Sequence, residues 1–185
     1  MSIDTHRNRF ITPAMILAVS SGLAHAGVAP CVEAEQRLAV GEEPASVALG
    51  DLDGDLIRDM VVVNVADGTL SVGLGDGSLF GALSAIPLVG APQRVALADM
   101  NGDGNPDAVV ATRLVGALDR VLIYRGDGFG GFGAETSTPA GDGISGLAVA
   151  DLDGDENLDV VTTDTFNDRV VVNWGNGDGT YEWTR

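Results

Sequence analysis

The sequence predicts an all-β fold of β-propeller-type blades, each made of four antiparallel strands. Two observations carry that expectation. First, VALGDLDGDLIRDMVVVN, VALADMNGDGNPDAVVAT and LAVADLDGDENLDVVTTD share one pattern: an apolar run, a nine-residue acidic loop and a second apolar run. The loops start at Asp51, Asp99 and Asp151, so the period is 48 and then 52 residues. Second, Gly-Asp-Gly or Gly-Asn-Gly follows the third apolar run of every unit, at Gly75-Asp76-Gly77, Gly126-Asp127-Gly128 and Gly175-Asn176-Gly177. Such triplets turn the chain between strands, and four-strand units of ~40–50 residues are the mark of a propeller blade.

The strands follow in order. β-Branched residues flank each loop, as in Val47-Ala48-Leu49 and Val61-Val62-Val63, and these favour strands. The first unit (about 41–90) reads as strands near 45–50, 60–65, 69–74 and 80–88. The second (about 91–140) reads as 93–98, 108–113, 119–125 and 132–138. The third (141–185) reads as 145–150, 159–164 and 168–174, with its fourth strand missing. A leading segment, Val32 to Val40, has the character of a fourth strand from an earlier blade and is expected to complete the last one. Phe80, Phe132 and Tyr181 recur at matched places and read as packing between sheets. Trp174 and Trp183 offer a sugar-stacking surface as the lesser reading.

The loops carry the chemistry. Positions 1, 3, 5 and 9 are Asp51, Asp53, Asp55 and Asp59 in the first, and Asp99, Asn101, Asp103 and Asp107 in the second. In the third they are Asp151, Asp153, Asp155 and Asp159. Carboxylates this close repel one another unless a cation lies between them. Several hard oxygens on a tight turn suit Ca2+, which takes about six to eight of them. The position 7 carbonyls of Ile57, Asn105 and Asn157 are the expected extra ligands, for up to three ions. Gly54, Gly102 and Gly154 at position 4 let the loop turn. Leu52, Met100 and Leu152 at position 2 are expected to plug into the core. With no thiolate or imidazole in the loops, zinc and copper fit poorly. Magnesium wants a stricter octahedron. The helix-flanked calcium loop needs a Glu at position 12, where this chain has Val62, Val110 and Thr162. The second loop, one carboxylate short, is expected to bind most weakly.

The first 26 residues read as an export signal: Arg7 and Arg9, an apolar stretch from Ile11 to Leu23, and the Ala24-His25-Ala26 cleavage site. Cleavage leaves residues 27–185 as one repeat domain and a secreted or periplasmic protein. It removes both histidines, His6 and His25, and leaves the single Cys31. Histidine-dependent triads and an internal disulfide are thereby excluded. The net charge of −17 becomes −18 with the loss of Asp4, Arg7 and Arg9. So acidic a chain has no electrostatic reason to bind nucleic acid or an anionic membrane, and no membrane insertion is expected after cleavage.

DLDGDLIRD, DMNGDGNPD and DLDGDENLD, with VALGDLDGD and GNGDGTYEW around them, resemble the FG-GAP/VCBS repeats of integrin-like β-propellers over about residues 33–185. The resemblance implies calcium in the loop between the first two strands of a blade. It also implies extracellular recognition of protein or carbohydrate through loops at a propeller face, without catalysis. The alternative is an accessory or truncated propeller domain of a carbohydrate-active enzyme such as a polysaccharide lyase. Under that reading Asp67, Asp119, Asp142, Asp164, Asp168 and Asp178 are the candidate acid and base. Family loops usually carry Gly at position 6, which here is Gly104 but also Leu56 and Glu156. Three blades fall short of a ring of four to eight. The expectation is a homodimer that completes a six-bladed propeller, with a truncated gene product or an open arc covered by another protein as the alternatives.

Overall fold

The computed structural model describes residues 37–182. The expected export signal, Cys31 and Trp183 lie outside the described residues. Twelve strands form three four-stranded antiparallel sheets, each paired in sequence order, and no helix occurs among the described residues. Blade 1 contains β1 (Pro44–Gly50), β2 (Asp59–Asn64), β3 (Thr69–Gly73) and β4 (Ser84–Pro87). Blade 2 contains β5 (Ala91–Ala98), β6 (Asp107–Arg113), β7 (Arg120–Gly126) and β8 (Phe132–Pro139). Blade 3 contains β9 (Ile144–Ala150), β10 (Asp159–Asp164), β11 (Arg169–Gly175) and β12 (Tyr181–Glu182).

The third blade corrects the sequence reading. Its fourth strand is present as β12, which pairs Trp174 with Glu182 and Gly175 with Tyr181. Arg37–Val40, the described end of the leading segment, forms no strand. Two residues after a turn have too little alternation to be read as a strand; only Tyr181, the matched aromatic, marked the place.

Side-chain alternation gives every sheet two faces. Each blade turns one face forward, to the next blade, and one rearward. Val61, Val63, Leu70 and Val72 on the forward face of blade 1 pack on Val95, Ala108, Val110, Leu122 and Tyr124 of blade 2. On its other face blade 2 presents Val109, Ala111, Val121 and Ile123, the same repeat positions, to Ile144 and Val160 of blade 3. Leu147 and Val149 pack on the margin of that second cluster. β1 lies against β5 and β5 against β9, so the first strands of successive blades are neighbours. Phe132 and Tyr181 pack rearward onto these two interfaces, as their recurrence suggests.

Position 2 of each acidic loop belongs to the same packing. Leu52 and Met100 are 4% and 3% exposed and sit in the first and second interfaces. Their carbonyls accept the amides of Gly130 (2.9 Å) and Gly179 (3.1 Å) from the following blade. Leu152 departs from the expectation and is 49% exposed. Its position packs onto a following blade, and blade 3 has none among the described residues.

Leu70 is fully buried at the centre of the first interface. Leu70→Ala is expected to cost about 2–5 kcal/mol, read as a lower urea midpoint at unchanged slope. Leu56→Ala, at a side chain 91% exposed, should stay within about 0.5 kcal/mol of the parent in the same measurement.

Candidate metal centre

Each acidic loop is organised by its own side chains before any ion is considered. The position 1 carboxylate reaches across the loop and gathers backbone amides. Asp51 accepts from Gly54 (2.8 Å) and Leu56 (2.9 Å), and Asp151 from Gly154 (2.7 Å) and Glu156 (3.1 Å). Asp99 accepts from Gly102 (2.8 Å), Asp103 (3.1 Å) and Gly104 (2.8 Å). Position 5 caps the turn at position 7: Asp55, Asp103 and Asp155 accept the amides of Ile57, Asn105 and Asn157 at 2.7, 2.8 and 2.9 Å.

Position 9 does something different. Asp59, Asp107 and Asp159 are buried, at 0%, 0% and 2% exposure. One oxygen of each accepts the position 2 amide, from Leu52 (2.6 Å), Met100 (2.9 Å) and Leu152 (2.9 Å). The other accepts the first glycine of the turn after the third strand: Gly75 (2.8 Å), Gly126 (2.8 Å) and Gly175 (2.9 Å). This clasp ties the loop mouth to the far end of the blade. Sequence reasoning placed these residues only among the ion ligands and missed the clasp. The signal was there, in a glycine 16, 19 and 16 residues after each ninth-position Asp. A Cβ on any of these three glycines would overlap the position 8 carbonyl, of Arg58, Pro106 or Leu158. Close approach therefore selects the first glycine of each triplet, whereas the backbone turns at positive φ at Gly77, Gly128 and Gly177.

The loops then bring carboxylates together. Oxygens of Asp51, Asp53 and Asp59 lie within 4.8 Å of one another, and so do those of Asp151, Asp153 and Asp159. Two oxygens on opposite sides of a calcium ion are about 4.6–5.2 Å apart, given bonds of 2.3–2.6 Å, so both donor sets fit one such ion. Oxygens already bonded to an amide keep a second lone pair. Asp55 and Asp155 are outside these triads. In the second loop Asn101 replaces one carboxylate, and Asp99, Asp103 and Asp107 form no such triad among the described residues. Enclosure in the loop pushes the Asp53 carboxyl above its ordinary value, and Asp55, Asp59 and Asp51 push it further. Burial does the same at Asp107, opposed by the amides of Gly126 and Met100. Asp76 is held below its ordinary value by the amides of Leu79 and Ser78, as befits a turn cap rather than an ion ligand.

Four of the six candidate carboxylates outside the loops are tied into the fold by hydrogen bonds. Buried Asp119 accepts the amides of Leu114 and Ile144. Asp164 pairs with Arg169 at 2.8 Å and with Asn167. Asp67 accepts from Glu42, and Asp178 from Thr180. Between the first and second loops lies a cleft of about 400 Å³ whose lining includes Leu49, Asp51, Arg58, Leu97, Asp99 and Asn105.

A family model described as FG-GAP-like repeat matches residues 51–110 and again residues 99–162. The chain belongs to the FG-GAP-like repeat family. Each match runs from one acidic loop into the second strand of the following blade, so the family unit includes a loop and the interface beyond it. No curated protein matches the chain.

Against the Gly that FG-GAP repeats usually carry at loop position 6, two loops are strained. Leu56 and Glu156 have φ of 69° and 71°, in the left-handed region that Gly104 occupies at 89°. A side chain there costs about 1–2 kcal/mol, partly offset by the smaller entropy loss of a non-glycine residue. Leu56→Gly and Glu156→Gly should each stabilise the protein by about 0.5–1 kcal/mol in urea titration. Asp107→Ala leaves the Met100 and Gly126 amides without their acceptor. It should cost about 3 kcal/mol, measured in chelator so that metal plays no part.

Proposed function

We propose that this FG-GAP repeat chain is a secreted, calcium-stabilised, non-catalytic recognition module for an extracellular protein or carbohydrate. The observation that carries the reading is the convergence of Asp51, Asp53 and Asp59, repeated at Asp151, Asp153 and Asp159. Three carboxylates at this spacing are mutually repulsive at neutral pH, and a divalent cation converts the repulsion into attraction. The acidic balance of the chain fits the same account, since eleven of the twelve positions at 1, 3, 5 and 9 are Asp.

The roles divide along the loop. Asp51, Asp53, Asp151 and Asp153 are the residues that would hold an ion, with Asp59 and Asp159 contributing a lone pair each. The second loop would bind most weakly, through Asp99, Asn101, Asp103 and Asp107. The position 7 carbonyls of Ile57, Asn105 and Asn157 remain the expected supplement. A bound ion supplies charge neutralisation and fixes the loop between the first two strands of its blade. The mixed polar and apolar cleft between the first two loops, with Arg58 and Asn105 in its wall, has the size of a ligand pocket. We assign recognition to that edge.

Thermal unfolding with calcium and with chelator tests the proposal. Calcium should raise the melting temperature by several degrees or more, in line with the mass-action gain of a ligand that binds only the folded state. Asp53→Ala and Asp153→Ala should each remove part of that gain, and Asp76→Ala should leave it intact. Identical melting in calcium and chelator would end the calcium reading.

A further inference from the structure

The two end faces of the described blades are the two halves of an interface that the chain already makes twice. Matching the repeats through the ninth-position Asp places Val47 and Leu49 at the positions of Val95 and Leu97, and of Leu147 and Val149. In blades 2 and 3 these residues pack rearward against the preceding blade. In blade 1 Val47 and Leu49 are each 57% exposed, whereas Val95 is 8% exposed. The opposite end mirrors this. Val170 occupies the position of Leu70 and Val121, both fully buried in a forward face, and is 58% exposed. At the loop end of the same blade Leu152 is 49% exposed, where Leu52 and Met100 are buried.

We propose that the forward face of blade 3 docks on the rear face of blade 1 of a second copy of this chain, so that two copies close a single six-bladed ring. The argument is continuity: this forward-on-rear packing joins blade 1 to blade 2 and blade 2 to blade 3. The outermost faces keep much of this apolar pattern in the same register, with Val47, Leu49, Met60 and Val62 at one end and Val161, Val170 and Val172 at the other; Ser71, Gly73 and Thr163 are the departures. Met60 and Val62 on the rear face of blade 1 are buried already, so the strip on offer there is the inner strand with Val47 and Leu49. A head-to-tail contact either closes or polymerises. Two copies contribute two such contacts, and six blades fall within the range that rings adopt. One bond of the internal interfaces is not reproduced. The turn of blade 1 runs from Gly75 to Phe80, one residue shorter than Gly126–Phe132 and Gly175–Tyr181. It therefore lacks a counterpart to the Gly130 and Gly179 amides that meet the preceding loop. The closing contact is accordingly weaker than the two within the chain, and dissociates on dilution before the blades unfold.

The test is mass by light scattering in calcium-containing buffer, with circular dichroism to verify folding. The wild-type chain should have twice its sequence mass and fall to the monomer on dilution. Leu49→Glu and Val170→Arg should each be folded monomers at concentrations where the parent is dimeric. Mixed in equal amounts they should regain the dimer, because each mixed pair retains one unmodified contact, the forward face of the Leu49→Glu chain on the rear face of the Val170→Arg chain. Four outcomes would overturn the proposal: a wild-type monomer at its highest soluble concentration, an assembly whose mass keeps growing with concentration, variants that leave the dimer unchanged, or a mixture that stays monomeric.

Discussion

The buried carboxylate at the ninth position of each acidic loop is the constraint on which the rest of a blade depends. Asp59, Asp107 and Asp159 each take one amide from the loop mouth and one from the turn beyond the third strand. An ionised acceptor makes stronger hydrogen bonds than a neutral one, and more so away from water. Sequence distances of 7 residues on one side and 16 or 19 on the other are thereby fixed at a single point. The hairpin that carries the loop, the close approach of a glycine to the backbone and the direction of the position 2 side chain all follow from it.

The same carboxylate creates an electrostatic problem that the fold has to manage. It is buried with two more acidic groups within 4.8 Å in the first and third loops. Backbone amides answer part of this, since position 1 collects between two and four of them in each loop. The proposed ion answers the remainder. The second loop reaches a milder compromise, with Asn101 in place of a carboxylate and glycine at both left-handed positions, Gly102 and Gly104. The first and third carry more charge and more backbone strain together. The loops that have the most to gain from a cation are thus those least relaxed without one.

Much of the fold was legible because two periodicities coincide. The recurrence at Asp51, Asp99 and Asp151 set the blade length and the recurring Gly triplets set its turns, whereas the two faces of an unbroken apolar run such as Val121–Tyr124 emerged only with the packing. β2, β6 and β10 begin within one residue of their expected starts. What escaped the sequence depends on context outside the repeat. Leu152 has the same residue type and setting as Leu52, and only the absence of a following blade among the described residues leaves it exposed. β12 is too short to carry a pattern. The site was legible as an acidic loop, but its division of labour was not. Asp53 and Asp59 are the same amino acid, yet Asp59 is buried and clasps two distant amides, whereas Asp53 accepts only the nearby Asp55 amide.

The packing between blades also has a polarity. Forward faces carry one set of positions and rear faces another, and position 2 of the first two loops reaches into the blade that follows, not the one before. Such a tongue-and-groove joint draws on the same repeat positions whichever unit supplies either half. A duplicated or deleted blade would leave the remaining joints unaltered, so a gene built this way can lengthen or shorten by unequal recombination without inventing a new core.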